Sequence, residues 1–144
     1  MGLMTALEVS ASGLTAQRRR LELLVSNLVN ANTTEAPGKE PFRRKDVVFT
    51  ATVPEQTFGS TFDAALAAVR GVEISDVVTD RKEPIKRYEP GHPNADKDGY
   101  VLYPNINSIE EMVNILSTSR SYEANLQAVT TAKDMAQKTL EIIR

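Results

Sequence analysis

The stretch "SIEEMVNILSTSRSYEANLQAVTTAKDMAQKTLEIIR", Ser108–Arg144, decides the fold. It holds no proline or glycine, so nothing interrupts a helix that at 1.5 Å per residue would run about 50 Å, longer than a small domain. Ser108 with Glu111 three residues on has the form of a capping box, and Glu110 and Glu111 suit the positive end of a helix dipole. One heptad column then reads Met112, Ser119, Leu126, Lys133 and Leu140, and its companion Ile115, Tyr122, Val129, Ala136 and Ile143. Lys133 is the one charge in either column; a buried ammonium there needs a carboxylate or a route to water.

The other end of the chain answers this stripe. Leu7, Leu14, Leu21 and Leu28 recur every seven residues, with Leu3, Ser10, Gln17, Leu24 and Ala31 in the companion positions. Gly13 inside the repeat costs about 1 kcal/mol against alanine, so this helix needs a partner before it is stable. The pattern ends near Asn30–Asn32, ahead of Pro37 and Gly38. Asn30 or Asn32 is expected to take the left-handed conformation that closes a helix, a role asparagine tolerates.

The middle has a different texture. "DVVFTATV" and "VEISDVV" are rich in β-branched residues, "YVLY" is short and aromatic, and glycine and proline punctuate the gaps. "FDAALAAVRG", Phe62–Gly71, reads as a short helix closed by its glycine. The expected fold is therefore mainly α with a small β insert. Long N- and C-terminal helices pair as a coiled coil over 1–33 and 108–144, with a short-stranded, β-rich middle over 34–107. Two such helices cannot bury all of their own stripes, and the apolar surface left over calls for other protein subunits.

Composition narrows the function. The 144 residues are one domain's worth, and 41% hydrophobic with only 6% aromatic content is lean for a large core. A net charge of −2 and a pI near 5.5 argue against nucleic acid; Arg18–Arg20 are consecutive on a helix and point about 100° apart, so they form no single patch. "FRRK", Phe42–Lys45, is equally short. The absence of cysteine excludes disulfides, thiolate metals and cysteine nucleophiles. The N-terminus has no basic n-region and carries Glu8 within its apolar part, so a cleavable secretory signal is not expected. No run approaches the ~18 apolar residues of a spanning helix.

The most site-like segment is "YEPGHPNADKDGYVLYPNIN", Tyr88–Asn107. Asn94, Asp96 and Asp98 fall at positions one, three and five of a calcium loop with Gly99 at six, but position twelve is Asn105, which cannot give two carboxylate oxygens. Pro90 and Pro93 stand where an entering helix should be. His92 has no histidine or cysteine to share a transition metal with. A tight turn is the better reading, with no metal, cofactor or small-molecule substrate. Nothing resembles a phosphate loop or a nucleophile elbow, so an enzyme is not expected.

At "SNLVNANTT", Ser26–Thr34, the chain resembles the signature N-N-[IL]-A-N-x-N-T that ends the first helix of bacterial flagellar rod and hook axial proteins. Asn27, Leu28, Asn30, Asn32 and Thr33 match; Ser26 and Val29 replace the usual asparagine and alanine, and "EAPGK" replaces the glycine-aromatic pair that often follows. "YEPGHPNADKDGYVLYPNINSIEEMVNIL" with "SRSYEANLQAVTTAKDMAQKTLEI" resembles the proximal rod type, FlgC, and the chain's short length fits it. The resemblance implies a structural subunit, exported by the flagellum's own type III apparatus without a cleaved signal into the periplasmic basal body. There it would polymerise into the drive shaft beside copies of itself and other rod proteins, next to the membrane ring and the export gate. The terminal helices would form the inner tube. The expected subunit interface is then Leu7, Leu14, Leu21, Leu24 and Leu28 with Asn27, Asn30 and Asn32 on the first helix. On the second it is Met112, Ile115, Tyr122, Asn125, Leu126, Val129, Leu140 and Ile143. Asn27 and Asn30, one turn apart, would bond to the backbone of a neighbour. The alternative is a soluble coiled-coil adaptor that closes into a finite oligomer.

Overall fold

The computed structural model describes residues 3–52 and 71–142. Helix α1 spans Leu3–Asn30 and helix α2 spans Ser108–Ile142. Between them lie strands β1 (Lys45–Thr52), β2 (Gly71–Thr79), β3 (Ile85–Tyr88) and β4 (Tyr100–Tyr103). The chain is mainly helical with a small β insert, as its two uninterrupted stripes and β-branched middle predict. The expected helix over Phe62–Gly71 lies outside the described residues except for Gly71, which opens β2.

β1 pairs with β2, and β3 with β4, as two separate two-stranded sheets. β3 and β4 are antiparallel, in a register that sets Ile85 opposite Tyr103 and Tyr88 opposite Tyr100. The first half of the segment tested above as a calcium loop, Asn94–Gly99, lies in the turn of this hairpin, and the second half runs through β4. Asp96 Oδ1 accepts the N–H groups of Asp98 and Tyr100 at 3.0 and 2.8 Å, so its carboxylate closes the turn. Gly99 sits at φ 83°, and a Cβ there would lie 2.9 Å from the Tyr88 ring; both facts require glycine. His92 Nδ1 accepts the Asn94 N–H at 3.1 Å. The Asn94 amide in turn donates to the carbonyl and hydroxyl oxygens of Thr34 at 3.2 and 2.9 Å, tying the turn to the segment after α1.

Two helix ends differ from expectation. No asparagine among the described residues has positive φ. The last turn of α1 tightens instead, with the Ala31 N–H donating to Leu28 and the Thr33 N–H to Asn30, while Asn30 donates its amide back to the Ser26 carbonyl at 2.8 Å. The positive φ falls later, at Gly38. At the start of α2 the cap is Asn107, not Ser108: its Oδ1 accepts the N–H groups of Ile109 and Glu110 at 3.1 and 3.5 Å. Glu111 makes no capping box because its carboxylate is drawn to Arg44 and Asn27. Asn107→Ala is therefore expected to cost about 1 kcal/mol in urea unfolding, the usual loss of an N-cap, and Ser108→Ala nearly nothing. The reverse order would restore the Ser108 cap.

The chain divides into two compact units, one of Met1–Arg19, Val48–Asp76 and Thr118–Arg144, the other of Arg20–Val47 and Val77–Ser117. In the first, Ala16 and Ala132 are buried, and Ser12 Oγ accepts the Val72 N–H at 3.0 Å while donating to the Val9 carbonyl. Gly13 gains its meaning here. A Cβ on it would stand 2.9 Å from the Asn125 amide nitrogen, so the helix-weakening residue admits a side chain of α2 against α1. In the second unit Leu24, Ala31 and Val101 are buried.

The inward face of α2 is a heptad column one residue earlier than the one the apolar pattern selects. Glu111, Thr118 and Ala132 are buried and Asn125 is half-buried, whereas Met112, Leu126, Lys133 and Leu140 are exposed. The companion residues Ile115, Tyr122, Val129 and Ala136 are half-buried. In the second unit the ion pair of Glu111 with Arg44 holds its side of the first turn inward and leaves Met112 outward; in the first unit Gly13 admits Asn125.

Candidate subunit interface and the buried clasp beneath it

The outward face of α2 begins with Ile109, Met112, Val113 and Leu116, 74, 52, 59 and 62% exposed. Their i, i+3, i+4, i+7 spacing puts them on one side of the helix. The same side then turns polar, with Arg120, Glu123 and Gln127 all exposed. On this side of α2 the contiguous apolar surface lies in the first turns, a patch of the kind that marks contact with another protein, while Leu126, Met135 and Leu140 are exposed singly further along. Val25 and Val29 of α1, in the same unit, are exposed as well.

Of the expected interface residues on α1, Leu7, Leu14, Leu21 and Leu28 are half-buried and Asn32 is exposed, while Leu24 is core. On α2, Met112, Leu126 and Leu140 are free to meet a neighbour. Asn125 is held against Gly13. Ile143 lies outside the described residues. The pattern reading did not single out Ile109, Val113 and Leu116, which are exposed beside Met112. Their signal was legible, because counting at 3.6 residues per turn rather than in strict heptads selects them.

Asn27 has a different occupation from the one its sequence context suggests. It is fully buried; its Oδ1 accepts the Lys45 N–H at 2.9 Å, and its Nδ2 donates to the Lys45 carbonyl at 2.7 Å and to Glu111 Oε2 at 3.1 Å. Glu111, 1% exposed, receives Arg44 Nε on Oε1 at 2.6 Å, and the same guanidinium reaches Asp46 at 3.1 Å. Burial works against the charge on Arg44, yet the hydrogen bonds and charges of Glu111 and Asp46 outweigh it and hold its pKa above the ordinary value. Asn30 bonds within its own helix. Sequence reading gave no hint of Glu111 as a buried ion, because its partner lies 67 residues away.

A cleft of about 350 Å³ opens over this network, lined by Arg20, Asp80, Lys82, Asn105 and Asn114 among others. Its charges are largely paired internally, Lys82 with Asp80 at 3.8 Å and Arg44 with Glu111 and Asp46. Among the described residues no cluster of three or more His, Cys, Asp or Glu is arranged to hold a metal, and no helix is long and apolar enough to cross a membrane.

The chain's relatives point the same way as its outward apolar face. Residues 7–36 match the family model "Flagella basal body rod protein", and 97–142 match "Flagellar basal body rod FlgEFG protein C-terminal". Asn27 falls in the first match and Glu111 in the second. A flagellar basal-body rod protein FlgC of Escherichia coli O6:H1 is 40% identical over 99% of this chain and 98% of its own length. FlgC of Borreliella burgdorferi is 36% identical over 100% and 99%, and FlgC of Bacillus subtilis 39% over 95% of each. With identity at this level along its whole length, the chain belongs to the FlgC family of flagellar basal-body rod proteins.

Proposed function

We propose that the chain is a structural subunit of the flagellar basal-body rod that polymerises through its terminal helices, and that its work is mechanical rather than catalytic. The observation that carries this is the exposed Ile109, Met112, Val113 and Leu116 patch on a chain whose full-length relatives are rod proteins. The helices pair antiparallel as a coiled coil. In support, each compact unit brings a residue of α1 against one of α2, Gly13 beside Asn125 in the first and Asn27 beside Glu111 in the second. Copies of this chain and other rod proteins cover the apolar columns that remain, with Leu7, Leu14, Leu21 and Leu28 on α1 and Met112, Leu126 and Leu140 on α2 at the contacts. Ile115, Tyr122 and Val129 border them. Assembly takes place in the periplasmic part of the basal body, beside the membrane ring and the export gate.

Exposed residues of the patch contribute little to the lone subunit, so Leu116→Glu is expected to leave its urea midpoint within about 0.5 kcal/mol of the unaltered chain. The same change sets a charge in a contact that assembly must desolvate, and swimming in a bacterium relying on this chain is expected to stop. Normal swimming with Leu116→Glu would refute the patch as an interface.

A further inference from the structure

The network under the patch has a feature that packing alone does not call for. A carboxamide offers two N–H donors and one acceptor oxygen, and Asn27 uses all of them: it takes the N–H and gives to the C=O of a single residue, Lys45, and its remaining donor goes to Glu111. On its other side the segment is held through the Arg44 carbonyl, which accepts the Asp80 N–H at 2.8 Å. Asn27 therefore occupies the place of a neighbouring strand for one residue pair. Aspartate, with no donor, and leucine, with neither function, cannot do this.

We propose that Asn27, Glu111 and Arg44 form a clasp that fastens the strap Arg44–Asp46 to the ends of both terminal helices at once, and closes only when the two helices are paired. Glu111 accepts from Asn27 and Arg44. It acts by fixing the second donor of Asn27, which orients the amide toward the strap, and by anchoring Arg44, the residue before Lys45. Asn27 and Glu111 are thus positioning residues for the strap, and loss of either opens it. Resting on the rod reading, the clasp keeps the strap from peeling off the helices when the shaft is twisted.

The test is site-resolved hydrogen exchange on the full chain, comparing the Lys45 amide with the amides of the β3–β4 ladder as a gauge of general unfolding. In Asn27→Asp and in Glu111→Gln, Lys45 is expected to exchange at least tenfold faster relative to the ladder. In Leu24→Ala, which weakens the core without touching the clasp, the two sets are expected to accelerate together. Equal acceleration of Lys45 and the ladder in the first two variants would overturn the proposal, even if those variants fold poorly. In a strain lacking its own rod protein, cells carrying Asn27→Asp are expected to swim several-fold slower than those with the unaltered chain in viscous medium; equal speed at every viscosity would overturn the mechanical role. If the unaltered chain restored no swimming, the rod reading would fail instead, and the exchange result would still decide the clasp.

Discussion

Replacing Glu111 with alanine is expected to destabilise the isolated chain by about 3 kcal/mol, the lower end of the loss seen when one partner of a buried ion pair is removed. Glu111 is 1% exposed and accepts from both Asn27 and Arg44. Alanine would leave the buried Asn27 donor without an acceptor and Arg44 with Asp46 alone. The lower end applies because the Arg44 side chain keeps 23% of its surface in water and can rehydrate. Glu111→Gln preserves the shape and one acceptor, so about 1.5–3 kcal/mol is expected, the worth of a hydrogen bond to a charged group. Urea unfolding measures both. An unchanged midpoint for Glu111→Ala would mean that the network is incidental.

The second large effect separates core from interface along one helix. Leu24 is 1% exposed, so Leu24→Ala removes buried methyl groups and leaves a cavity, with an expected loss of about 2–5 kcal/mol in the lone subunit. Few other apolar side chains are buried among the described residues: Ala16, Ala31, Val101 and Ala132, with Pro41 and Pro104. Leu21 and Leu28, in the most regular leucine column of the chain, are only half-buried. Alanine at either is expected to change the lone subunit by less than about 1 kcal/mol, while weakening assembly. If Leu21→Ala and Leu24→Ala destabilised the free subunit equally, the division drawn here between core and interface would be wrong.

Much of the architecture was legible because it depends on local signals. Both helices followed from long stretches without proline and from heptad spacing, and β4 and the hairpin turn from a short aromatic run beside Gly99. β3 was not foreseen; "IKRY" is short, charged and exposed, and its pairing with β4 is what makes it a strand. The cap at Asn107 was missed by one residue since asparagine and serine are both good caps, and the choice was made by a distant arginine that recruits Glu111. The same recruitment turns the first turn of α2, with Glu111 inward and Met112 outward. A pattern reading assumes that apolar columns face inward, and a buried Asn–Glu–Arg network reverses that locally, presenting Met112 and Leu116 to the outside. Gly13 was legible only as a weakness, because its purpose lies in Asn125 on the other helix. Asn27 was marked by its signature, but not its partner: the backbone of Lys45 leaves no trace in side-chain chemistry.

The most direct measurement of the central claim is a structure of the assembled rod built from this chain. The expected result is that Ile109, Met112, Val113 and Leu116 lose their exposure against a neighbouring subunit, while Asn27 and Glu111 keep their partners inside their own chain. A rod in which that patch stays in water, or a closed soluble oligomer with no axial assembly, would contradict the account.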